Sequence, residues 1–206
     1  MTIKSPYEPG QNSGWVQIRG PVSRIAQYKA IETSPAFPDP CTNLPVNYFG
    51  LQQIRWPPTL IADTPDQALA RLFMLPGARY RDPEFSWKFE VAPAGIGFME
   101  GDGLGDQYEN DLFTGAARTT LEGGQLFHFK LTGDRKKIRL DDPLEDRVAD
   151  NLCKFDITES ESLLFGENFG IGTDIQTGPN GNLFVVSNSN GAIYEIFRQP
   201  QARGRP

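Results

Sequence analysis

The 206-residue sequence predicts an all-β fold, a partial β-propeller of about three blades with short helical insertions. Three observations predict it. Composition comes first: 21 Gly and 17 Pro punctuate a chain with fourteen Phe and only three Met, the balance of short aromatic-rich segments between many turns. The second is strict period-two alternation beside Asn-Gly turns, the hairpin signature. The third is an internal similarity that begins at Ala94.

One copy reads Gly95-Ile96-Gly97-Phe98, then Asn110-Asp111-Leu112-Phe113-Thr114-Gly115, then Gly124-Gln125-Leu126-Phe127-His128-Phe129. The other reads Gly172-Thr173-Asp174-Ile175, then Asn180-Gly181-Asn182-Leu183-Phe184-Val185-Val186, then Asn190-Gly191-Ala192-Ile193-Tyr194-Glu195-Ile196. Each is strand, tight turn, apolar strand, Gly-bearing turn, alternating strand. A meander of three or four strands in about 40–50 residues, followed by another, is how propeller blades read in sequence. Short strands at regular spacing also describe a β-sandwich. The repeat favours the propeller.

In chain order, the propeller spans residues 1–198: an irregular blade with a helical insertion over 12–93, a blade over 94–144, and a blade over 162–198. Trp15 anchors a first strand over 12–18. Pro-rich loops follow at 35–45 and at Trp56-Pro57-Pro58. Thr64-Pro65-Asp66-Gln67 starts a helix, with Thr64 as N-cap, Pro65 in the first position and Gln67 closing a capping box. Its apolar face is Ala68, Leu69, Leu72 and Phe73, and Pro76-Gly77 stops it. Lys137-Ile138-Arg139-Leu140 supplies a fourth strand to the blade over 94–144. Leu144, Val148 and Leu152 suggest a second short helix, with Glu145 and Asp146 suited to its positive end. Residues 199–206 form a disordered tail.

Charge narrows the function. Twenty-six acids against twenty bases give a net charge of −6. All of it sits in residues 101–161, which hold fourteen Asp and Glu against eight Lys and Arg. No basic stripe offers a footprint to a phosphate backbone, so nucleic acid is excluded as a partner. No apolar run approaches the roughly 20 residues of a membrane helix, and the first residues lack the apolar core of a signal peptide. Cys41 and Cys153 match no metal or redox spacing and read as unpaired structural residues or a single disulfide.

With one histidine, most acid–base machinery is missing. His128 sits mid-strand on the face of Lys130, beside no patterned Ser or Cys nucleophile, and reads as a surface histidine. Asp102, Asp106, Glu109 and Asp111 crowd a Gly-rich turn with oxygen ligands of the kind calcium takes, but off the EF-hand spacing, so a solvated acidic hairpin is favoured. Gly170-Ile171-Gly172 lacks the strand–helix setting of a dinucleotide loop and reads as a turn into a strand. Arg118-Thr119-Thr120, between two strands of the first copy, has the composition of a loop that contacts a ligand at the end of a blade.

Several fragments in order resemble a known family. They are Glu8-Pro9-Gly10-Gln11-Asn12-Ser13-Gly14-Trp15, Pro83-Glu84-Phe85-Ser86-Trp87, Ala92-Pro93-Ala94-Gly95-Ile96, Tyr108-Glu109-Asn110-Asp111-Leu112-Phe113-Thr114-Gly115, and Thr177-Gly178-Pro179-Asn180-Gly181-Asn182-Leu183-Phe184-Val185-Val186-Ser187. The set resembles the soluble quinoprotein glucose/sorbosone dehydrogenases, thinning between residues 21 and 78. The resemblance implies a six-bladed TolB-like propeller, oxidoreductase activity on aldose or sorbosone sugars, pyrroloquinoline quinone (PQQ) as cofactor, and calcium. Six blades need more than this length, so the chain looks like the C-terminal portion, without the blades that carry the family's general-base histidine. Members are commonly exported.

The resemblance also locates cofactor contacts. A tricarboxylate quinone is gripped by cations, best by guanidinium forks. The family's loop lysine corresponds to Arg118, and its Arg-x-Arg-Asp run to Ile171-Gly172-Thr173-Asp174, which keeps only the aspartate. Arg118 and Asp174 are therefore the candidate cofactor contacts, and no catalytic or metal-binding residue is assigned. The expected function is that of an inactive fragment of a sugar dehydrogenase, or of a non-catalytic propeller module that binds carbohydrate or protein. A partial ring leaves blade edges uncovered, which predicts pairing with a missing N-terminal half or with itself as a concentration-dependent dimer.

Overall fold

The computed structural model describes residues 2–3, 9–14, 18, 20–23, 64–88, 91–117, 123–152 and 156–199. The described chain is all-β with little helix, in several small sheets. It divides into two compact units: Met1–Val91 with Lys136–Ser162, and Ala92–Arg135 with Leu163–Pro206. No described helix is long and apolar enough to cross a membrane.

In the first unit, β1 (Thr2–Ile3), β4 (Phe85–Trp87) and β8 (Val148–Ala149) form one sheet, with β1 antiparallel and β8 parallel to β4. A second pairing joins β2 (Gln11–Asn12) to β3 (Arg79–Tyr80). Helix α1 (Pro65–Arg71) starts as its sequence dictates, the Thr64 hydroxyl accepting the Gln67 amide at 3.2 Å. Ala68 and Leu72 pack with Ile18, while Leu69 and Phe73 of the expected apolar face stay exposed. The expected second helix does not form. A single 3-10 turn over Leu144–Asp146 ends at Arg147 in the left-handed region, and Val148 continues as β8, its amide bound to the Asp146 carboxylate. The β-branched Val148 gains a buried place beside β4 that another helical turn would not give it.

The second unit holds the repeat. β5 (Ala92–Phe98), β6 (Leu112–Ala117), β7 (Gln125–Phe129) and β9 (Leu164–Glu167) form an antiparallel four-stranded sheet in that order. The fourth strand is thus not residues 137–140, where only Ile138 makes an isolated bridge, but a segment some 25 residues further on. Leu164-Phe165 wins that edge because Phe165 packs edge-on against Phe113 and Tyr108, a contact the basic run Lys136-Lys137 cannot offer. β10 (Gly172–Thr177), β11 (Leu183–Ser187) and β12 (Ala192–Ile196) form a three-stranded antiparallel sheet.

β10 lies across β5 and β6. Glycine permits this approach: a Cβ at Gly95 would sit 2.7 Å, and one at Gly115 2.6 Å, from the Gly172 carbonyl oxygen, and one at Gly97 would overlap the Ile175 carbonyl. Met99, Leu104, Phe113 and Leu126 then meet Ile175, Leu183 and Val185 in a shared core. The Thr114 hydroxyl donates to the Gly95 carbonyl at 2.9 Å, where the β5–β6 register shifts.

Candidate functional site

Of the two predicted contacts, Arg118 lies outside the described residues, as do Trp15, Cys41, Cys153, the two Pro-rich loops and residues 200–206 of the tail. Asp174 stands near the start of β10, exposed, opposite Val186. Its carboxylate accepts the Gln176 side-chain amide at 3.0 Å. Beside it the Thr173 hydroxyl donates to the Val186 carbonyl.

The Gly170-Ile171-Gly172 turn is stitched down rather than open. Gly170 has φ +64°, and its amide donates to the Gly123 carbonyl. The Ile171 amide donates to the Ser189 hydroxyl at 2.8 Å, and its carbonyl accepts from Asn188. A Cβ at Gly170 would collide with the Ser189 hydroxyl, which explains the glycine. With its amides engaged, the loop has no cradle to offer a phosphate.

Among the described residues, this end of β10 does not fit the quinone that the resemblance implies. A tricarboxylate needs converging cations or free donors. This end of β10 presents an aliphatic Ile171, a Thr173 hydroxyl already donated, and the carboxylate of Asp174, which repels an anion. Of the acidic turn, one carboxylate is already engaged. Asp111 faces inward, with one oxygen 2.9 Å from His128 Nε2 and the other accepting the Leu131 amide at 2.9 Å. Among the described residues no three His, Cys, Asp or Glu side chains gather to hold a metal ion.

His128 is not the surface residue its sequence position suggests. Its ring lies 5.0 Å from those of both Phe113 and Tyr108, and its side chain is 14% exposed. Burial holds its pKa below the usual 6.5, outweighing the Asp111 carboxylate, which pulls the other way, while Lys130 adds to the lowering. The neutral ring therefore donates its Nε2 proton to Asp111. That arrangement pins the strand and shields most of the ring.

A second polar group escaped the sequence reading. Glu195 of β12 accepts the side-chain amides of Asn182 at 2.7 Å and Asn180 at 2.8 Å. These two bonds hold its carboxyl below the ordinary range. The signal was present in Asn180-x-Asn182 opposite an alternating strand, but only the register β11–β12 brings the groups together. Glu195, Phe184 and Gln176 share one row across the sheet, and Ile193, Val186 and Asp174 the next. This face turns away from the shared core, with Ile193 68% exposed.

Comparison with protein-family models, with curated proteins and with solved structures returns no match.

Proposed function

We propose that the chain is a portion of a propeller of the sugar-dehydrogenase kind that has lost quinone chemistry and serves as a carbohydrate-binding module. The path of the chain supports the propeller: β5, β6, β7 and β9 step outward in order, and the chain then returns so that β10 packs on β5, first strand against first strand, as consecutive blades do. One observation carries the loss of redox function: at the cofactor end of β10 stand Ile171, Thr173 and an exposed carboxylate instead of a guanidinium pair. Two lost charge-assisted contacts, at about 1.5–3 kcal/mol each, weaken quinone binding by orders of magnitude.

What remains suits a neutral sugar. The rows Gln176–Phe184–Glu195 and Asp174–Val186–Ile193 set carboxylate and amide groups, which accept and donate to paired hydroxyls, around an apolar strip for the face of a pyranose. Calorimetric titration of the intact chain with glucose, xylose and their oligosaccharides tests the reading. The expected result is weak binding that Asp174→Ala abolishes. A PQQ absorbance titration in calcium gives no spectral shift, and dye-linked oxidation of aldoses gives no turnover. Tight quinone binding, turnover, or an absence of sugar binding each overturns it.

A further inference from the structure

We propose that β12 is a dimerisation strand, pairing antiparallel with β12 of a second copy of the chain. The two sheets of the second unit are built on one plan. Leu112↔Phe129, Phe113↔His128 and Gly115↔Leu126 in the first sheet correspond to Leu183↔Ile196, Phe184↔Glu195 and Val186↔Ile193 in the second. β12 is thus the counterpart of β7. The outer edge of β7 carries an antiparallel strand, β9, bonded opposite Gln125, Leu126 and Phe127. Among the described residues, the same edge of β12 carries none.

The edge is ready to pair. Gly178 N donates to Asn182 O at 2.9 Å, closing the β10–β11 turn, and this fixes the phase of the ladder. Counting in steps of two, Phe184 and Val186 bond to β10, whereas Leu183, Val185 and Ser187 bond to Ile196, Tyr194 and Ala192. The backbone groups of Ile193 and Glu195 therefore point outward. Glu195 is the one charge along the strand: residues 192–196 contain no Lys, no Pro and no register shift, and Ile193 and Phe197 are 68% and 56% exposed. By contrast β5 contains Pro93, and the ladders of β9 and β10 each carry an irregularity.

The strand is also complementary to itself. A two-fold axis at Tyr194, its middle residue, overlaps all five residues and pairs Ile193 with Glu195 of the second copy, Ala192 with Ile196, and Tyr194 with Tyr194. No like charges stand opposite, and the outward groups of Ile193 and Glu195 satisfy one another. A one-residue shift to an axis at Glu195 would set two carboxylates face to face.

Sedimentation velocity of the full chain over a hundredfold concentration range reads the association. The expected result is a monomer–dimer equilibrium that Ile193→Glu, which sets a second carboxylate opposite Glu195 of the other copy, weakens at least about tenfold and Ile193→Val leaves intact. Amide exchange keeps the test independent of variant folding: in the wild-type protein, the Ile193 and Glu195 amides gain protection with concentration, and the Tyr194 amide, already bonded to β11, does not. A monomer at every concentration, a dimer insensitive to Ile193→Glu, or protection gained elsewhere than β12 overturns the proposal. Sugar binding is read separately, so failure here leaves the function proposed above standing.

Discussion

The sheets β5-β6-β7-β9 and β10-β11-β12 share a register yet treat equivalent positions in opposite ways. In the first, the row Gly97–Phe113–His128 is covered: the glycine admits another backbone, the phenylalanine is fully buried and the histidine is nearly so. In the second, Gln176–Phe184–Glu195 faces outward, with Gln176 and Glu195 exposed. A repeat thus preserves strand order and turn chemistry, while the residues on one face decide whether that face is core or surface. Side chains at Asp174, Gln176 and Val186 also hold off any backbone approaching as closely as β10 approaches β5.

The sharpest way to break this contrast is to remove the aromatic ring of each row. Phe113 contributes to the shared core and touches His128, Tyr108 and Phe165. Phe113→Ala is expected to cost about 3–5 kcal/mol in urea unfolding, whereas Phe184→Ala costs about 1 kcal/mol. Equal losses would mean that the second face is buried in solution.

The glycine of the row comes next. Gly97→Ala forces a methyl group into the Ile175 carbonyl, so β10 must lift, at an expected cost of about 1–3 kcal/mol by chemical denaturation. Gln176→Ala on the partner sheet should change stability by less than about 0.5 kcal/mol. A tolerated alanine at 97 would show that the sheets slide apart easily.

The titrating residues then separate the rows by pH. In the folded chain the His128 pKa lies below 6.5, so the unfolded chain binds the proton first as pH falls. Stability is complete above 6.5 and is lost as pH drops from 6.5 toward the folded value. Thermal melts from about pH 7 to about pH 5 should therefore fall more steeply for wild type than for His128→Gln, which lacks the proton site. Parallel curves would place the ring in water.

The second unit was legible where local chemistry settles structure. Asn-Gly turns and alternation gave β11 and β12, the internal similarity and alternation gave β6 and β7, and in the first unit Thr64-Pro65 gave the start of α1. What sequence did not reveal was decided over distance. β9, and not residues 137–140, takes the outer edge of β7, because Phe165 finds Phe113 and Tyr108. His128 alternates like a surface residue, yet Asp111, 17 positions away, supplies a partner that lets it be buried. Of the two candidate contacts, Asp174 is found exposed and bound to Gln176, a pairing visible in the i, i+2 spacing once β10 is assigned. Glu195 was missed because its two amide partners come from another strand's turn.

The smallest expected effect tests the exposed row at its charge. Glu195 is fully exposed, and its low pKa reflects the amides of Asn182 and then Asn180. A depressed carboxylate stabilises the fold above its unfolded pKa and loses that contribution as pH falls through the folded one. At neutral pH, solvent screening keeps the effect slight. Glu195→Gln should therefore leave the melting temperature at pH 7 within error of wild type and flatten only the acid limb, below about pH 4.5. His128→Gln, its counterpart in the covered row, acts above that range. If both substitutions altered the same pH window, the two rows would share one environment, and the division of the repeat into a core face and an exposed face would fail.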